Sequence, residues 1–112
     1  MEKLVEQTLL YDFYGELLTE HQKKIYENVI FNDLSLSEAA ADAGISRQGI
    51  HDLIRRCTRI LSEYEEKLHL VERFTRTRRL TGEIGQLVQA YRKKPEEAFL
   101  TRIEQICKEI QE

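Results

Sequence analysis

Apolar side chains recur along this chain at steps of three and four, the period of helices buried on one face. Leu9, Leu10, Phe13, Tyr14, Leu17 and Leu18 predict a first helix over Val5–Leu18 with a wide core-facing stripe. Thr19 followed by Gln22 fits a capping box. It opens a second helix that buries Ile25 and Val29, with Tyr26 and Ile30 beside them, and ends near Asn32–Asp33. Ser35 and Glu38 repeat the device for a third helix. From Ile50 the apolar positions continue through Ile54, Cys57, Leu61, Tyr64, Leu68 and Val71. This heptad seam has no glycine or proline after Gly49, which predicts one long helix from about Arg47 into the late sixties or on to Thr81. Gly82 and Gly85 read as a weakening before Ile84, Leu87, Val88 and Tyr91. Lys93-Lys94-Pro95 is the clearest break, with Pro95 suited to the first turn of a last helix carrying Phe99, Ile103, Ile106 and Ile110. The two last helices can fold back as a hairpin on the long one. The seams read first as intramolecular core. Self-association is the second reading, because the long helix outreaches the small N-terminal bundle.

The segment over residues 34–55, LSLSEAAADAGISRQGIHDLIR, has the pattern of a helix-turn-helix. Ala40 is the small residue that lets two helices cross closely. Gly44 supplies the positive φ of the turn. Ala39, Ala43, Ile45, Ile50 and Leu53 are expected in the shared core, and Ser46 is placed to cap the second helix. The expected architecture is therefore all-α. It is a single domain over residues 1–112, with the helix-turn-helix at about 36–56 and a C-terminal helical extension over about 57–112.

Charge sharpens where such a protein would bind. The 112 residues carry a net charge of −3, with 33% charged and 41% apolar residues, so the surface as a whole is not built for polyanions. The distribution is uneven, however. Arg47, Arg55, Arg56 and Arg59 fall on the second helix of the motif, and Arg73, Arg76, Arg78 and Arg79 follow with no acid among them. With Ser46 as cap, Arg47, Gln48, His51, Asp52 and Arg55 lie outward while Ile50, Leu53 and Ile54 face in. Arginine pairs with guanine edges and glutamine with adenine edges, whereas Arg56 and Arg59 are better placed for phosphates. An ordinary solvated helix face is the competing reading for both arginine clusters.

Catalysis finds little support. His21, His51 and His69 are scattered, the paired glutamates belong to charged helix faces, and no phosphate-cradling glycine loop is present. No enzyme activity, cofactor or metal site is expected. Cys57 and Cys107 lie far apart on apolar faces, and buried free thiols are the expected state. No leader peptide or membrane-spanning run is read at the start or elsewhere, so a cytoplasmic location is expected.

Three stretches together carry a family resemblance: YDFYGELLTEHQ (Tyr11–Gln22), the helix-turn-helix with Ser46-Arg47-Gln48, and EYEEKLHLVERF (Glu63–Phe74). From Leu10 through Phe74 the chain resembles the YlxM family of small bacterial helical proteins. The LTEHQ-to-SRQ layout is also similar to the DNA-binding region of bacterial sigma factors, region 4. Asp52 in the reading helix, the net negative charge and the long extension depart from the sigma pattern. The YlxM resemblance implies a regulatory link to the signal recognition particle (SRP), through its RNA or its GTPase. The sigma resemblance implies the alternative, a sequence-specific DNA-binding regulator. A homodimer is expected with either.

Overall fold

The computed structural model describes residues 2–112, and the chain is all-α. Helix α1 (Glu2–Tyr14) runs into a tighter turn over Gly15–Leu17. Then come α2 (Glu20–Tyr26), widening into a π-turn over Glu27–Phe31, α3 (Leu36–Ala43), α4 (Arg47–Leu68), α5 (Leu70–Lys93) and α6 (Glu97–Gln111). Contacts divide the chain into two compact units, residues 1–71 and 72–112.

The first unit is organised by its caps. Thr19 and Ser35 each close a full capping box, with Gln22 and Glu38 returning the hydrogen bond to the cap backbone. The Glu38 carboxyl is held below the ordinary carboxylate range by the Ser35 backbone N–H, and then by the Ser35 hydroxyl. Ending α3, Gly44 takes the left-handed conformation at φ 73°, and its N–H reaches the Ala40 carbonyl. Two adjoining cores fill the unit. One gathers Leu10, Tyr14, Leu18, Tyr26, Cys57 and Leu61; the other packs Ile25 against Ala39, Ala40 and Ile50. Leu53 and Ile54 touch both. The heptad seam is thus spent inside the monomer from Ile50 through Tyr64.

Ile45 is 38% exposed and lies on the turn rather than in the shared core. Val71 packs on the first core, but before it the seam misses the core at Leu68, which is half exposed. There α4 ends, although neither glycine nor proline stands nearby, because His69 turns left-handed at φ 57°. Polar groups explain the break. The Tyr14 hydroxyl donates to Glu65 Oε1 at 2.6 Å and accepts from the Leu70 N–H at 3.2 Å. Glu65 Oε1 also accepts from the Val71 N–H at 2.9 Å. Two amides at the start of α5, which an uninterrupted helix would have tied to its own carbonyls, are satisfied by a tyrosine and a glutamate instead.

In the second unit, α5 passes through Gly82 and Gly85 without weakening, contrary to expectation. Pro95 stands before the cap residue Glu96 rather than in the first turn of α6. Arg102 makes a two-pronged bond to Glu83, Nε to Oε2 at 2.9 Å and Nη2 to Oε1 at 3.2 Å. Arg76 donates to the Glu109 carbonyl oxygen. Pairing 76 with 109 and 83 with 102 makes this stretch of α5 antiparallel to α6. Leu80 and Ile106 are buried. Cys57 is a buried thiol as expected, but Cys107 is exposed, one residue around the helix from the buried Ile106. Among the described residues, no helix is long and apolar enough to cross a membrane.

Candidate nucleic-acid interface

The geometry of α4 follows from its first turn. Ser46 is extended, at φ −74° and ψ 161°, and its hydroxyl accepts from the Gly49 N–H at 2.9 Å. A Cβ at Gly49 would stand 3.2 Å from that hydroxyl oxygen, so glycine keeps the cap uncrowded. Replacing Ser46 with alanine should cost about 1 kcal/mol, typical of removing a cap. A thermal melt of the variant checks this, and an unchanged midpoint would show that the cap contributes nothing.

With α4 fixed at this end, 100° per residue sorts its side chains onto two sides. Ile50, Leu53, Ile54, Cys57 and Leu61 occupy the side packed on the cores. Arg47, Gln48, His51, Asp52, Arg55, Arg56 and Arg59 share the opposite half of the circumference, and all are exposed. All six residues expected to form a nucleic-acid face are therefore brought together and left accessible.

Asp52 sits within this basic face. Its Oδ1 accepts from Gln48 Nε2 at 3.0 Å and lies 3.7 Å from His51 Nδ1. The same carboxylate lines a shallow concavity with Arg55, Arg56 and Arg59. Among the described residues, these three guanidiniums have no carboxylate partner within salt-bridge distance. From sequence, Asp52 reads only as a counter-charge; its position four residues after Gln48 is the signal for the contact it makes.

The second arginine run is less coherent. Arg73, Arg76 and Arg79 advance by three residues and share one side of α5, whereas Arg78 lies well round from them, 5.7 Å from the centre of the Phe74 ring. All four are exposed. Arg76 already spends a donor on the Glu109 carbonyl oxygen. Sequence adjacency thus overstates the patch.

Comparison with known proteins agrees with the motif. The family model for helix-turn-helix proteins described as YlxM / p13 like, UPF0122, matches residues 1–102. A UPF0122 protein of Thermoanaerobacter sp. (strain X514) is 40% identical over 106 residues, 94% of this chain and 91% of that protein. UPF0122 proteins of Bacillus cereus (strain AH187) and Bacillus anthracis (strain A0248) are each 40% identical over 88 residues, covering 79% of this chain and 80% of theirs. The chain belongs to the UPF0122 family of YlxM / p13-like helix-turn-helix proteins.

Proposed function

We propose that this chain is a regulatory nucleic-acid-binding protein that acts in the SRP pathway by binding the particle's RNA through the outer face of α4. The observation that carries the reading is the exposed face of Arg47, Gln48, His51, Arg55, Arg56 and Arg59, in which Arg55, Arg56 and Arg59 have no internal carboxylate partner. A net charge of −3 limits attachment by charge alone, so binding must draw on this local surface. The Arg73, Arg76 and Arg79 side of α5 is the second backbone-binding surface in this proposal. The family resemblance supplies the pathway.

The test is retention of SRP RNA by the purified protein across a salt series. Affinity should fall with salt, and the slope should shrink by close to one in Arg55→Ala and again in Arg59→Ala, as each substitution removes one cation from a phosphate. No retention even at low salt overturns the proposal. Recovery of the particle's GTPase alone would mark a protein adaptor instead.

One observation favours a second reading, a DNA-binding regulator: Arg47 and Gln48 stand in the first turn of α4, where recognition helices meet base edges. Selection from genomic fragments would then return a common site that shifts when Arg47 and Gln48 are replaced. Self-association, expected alongside either function, cannot use the α4 seam from Ile50 to Tyr64, which is packed within the monomer. Sedimentation at micromolar concentration decides whether other surfaces form a dimer; a species of 13.3 kDa alone would exclude it.

A further inference from the structure

We infer that Asp52 reads the ligand, accepting a hydrogen bond from the exocyclic amine of an unpaired base while the arginines around it hold the adjoining backbone; this rests on the RNA reading above. The α4 face carries a charge mismatch. A surface that only grips phosphates gains nothing from a carboxylate among its arginines, since that charge repels every phosphate brought near. Yet Asp52 lies beside Arg55, Arg56 and Arg59 in one concavity, with its side chain 58% exposed.

Its carboxylate is open to solvent and so to a ligand. Oδ1 takes the Gln48 amide at 3.0 Å and stands near His51, whereas among the described residues no donor is bonded to Oδ2. An ionised carboxylate only accepts, so its complement is a donor. On nucleic acid the neutral donors at base edges are N–H groups, and pairing of aspartate with the cytosine amine is an established complementarity. Arg55 and Arg56, three and four residues on, are left to hold the phosphates beside that base. Cytosine and adenine present an amine next to a ring nitrogen acceptor. Uracil has no exocyclic amine, and its one donor at that edge, N3–H, lies between two carbonyl oxygens that a carboxylate repels.

RNA geometry decides which bases are within reach. The deep, narrow major groove of an A-form helix excludes side chains, so sequence-specific contacts fall on unpaired bases in loops, bulges and ends. The exposed face of α4 is therefore matched to bases of that kind. Gln48 donates to Oδ1 alone, and with its side chain 58% exposed the carboxylate stays open to a second donor whether or not that amide is present.

The experiment titrates the full chain, at low salt, with fluorescently labelled oligocytidylate, oligoadenylate and oligouridylate of equal length. The wild type should bind the first two at least about fivefold more tightly than the third, the low end of the discrimination worth one good base contact. In Asp52→Asn all three should bind at least as tightly as before, because a negative charge is gone. Their differences should collapse to about twofold, since a carboxamide can also donate to the uracil oxygen. Gln48→Ala should keep the preference, and Arg55→Ala should weaken all three together.

Equal, salt-sensitive binding of the three oligomers by the wild type would overturn the inference and leave the RNA proposal standing. So would a preference that survives Asp52→Asn or disappears in Gln48→Ala. Failure to bind any of them overturns the inference as well, and retention of SRP RNA then judges the wider proposal independently. Unchanged melting of Asp52→Asn confirms that the readout reports binding rather than folding.

Discussion

Replacing Ile50 with alanine is expected to abolish nucleic-acid binding while leaving every proposed binding residue in place. Ile50 is fully buried in the core that joins α2, α3 and α4, where Ile25, Ala39 and Ala40 surround it. Truncating a buried isoleucine costs about 2–5 kcal/mol, through forfeited transfer energy and the cavity left behind. The first unit has only 71 residues, and small domains are stabilised by as little as about 5 kcal/mol. The variant should therefore lie near or beyond its unfolding threshold, with its midpoint lowered by roughly 4–8 °C per kcal/mol. Ile50 lies in the first turn of α4, between His51 on one side and Gly49 and Gln48 on the other. Losing its packing frees the turn that presents Arg47 and Gln48. Thermal melting and RNA titration should fall together for Ile50→Ala. Arg55→Ala, on the exposed side of the same helix, should weaken binding with its melting midpoint unchanged. A melting curve for Ile50→Ala that matches the wild type would show that the α3–α4 crossing does not depend on this side chain.

The parts of this fold that sequence reveals are those whose causes lie within a few residues. Thr19 and Gln22, Ser35 and Glu38, and Ser46 and Gly49 are each three residues apart, and each pair forms a cap that needs nothing beyond its own turn. Gly44 is legible for the same reason, since the left-handed turn it makes is a local steric matter. The break at His69 is not. Its causes include Tyr14, 56 residues before the amide it accepts from, and no local pattern around Leu68 contains that partner. An apolar seam likewise shows that a helix is buried without showing where burial stops, which is why periodicity alone puts Leu68 and Cys107 inside when both are exposed. For the candidate site, positions on α4 follow from helical periodicity once Ser46 fixes its start. What Asp52 touches depends on side-chain geometry that residue spacing only hints at.

The Tyr14 hydroxyl makes the break at His69 testable. In Tyr14→Phe the aromatic ring and its stacking on Tyr64, with centroids 6.1 Å apart, are kept, and one oxygen is removed. The Leu70 N–H then loses its acceptor, and Glu65 loses the shorter of the two hydrogen bonds described for its Oε1. Leaving such groups without partners costs about 1–3 kcal/mol, so the melting midpoint should drop by several degrees. The Leu70 amide should lose protection from hydrogen exchange before the amides of the α4 core. A dependence on pH accompanies the loss. Burial, and then the hydrogen bond to Glu65, raise the Tyr14 hydroxyl above its ordinary value of 10.0. Tyr11 is raised in the same direction by burial and by its bond to Glu27, and Tyr26 by burial. A group whose value is raised by folding contributes stability that is complete below its unfolded value and is lost as pH climbs toward the folded one. Cys57, raised above its ordinary value of 9.0 by burial, joins them, so the wild type should keep its stability up to about pH 9 and lose it progressively above, as the unfolded chain releases the thiol and then the tyrosine protons first. Tyr14→Phe should begin from a lower midpoint and show a shallower alkaline decline, with the slope due to Cys57, Tyr11 and Tyr26 remaining. Equal midpoints and equal alkaline slopes for the two proteins would mean that the hydroxyl does not hold the start of α5.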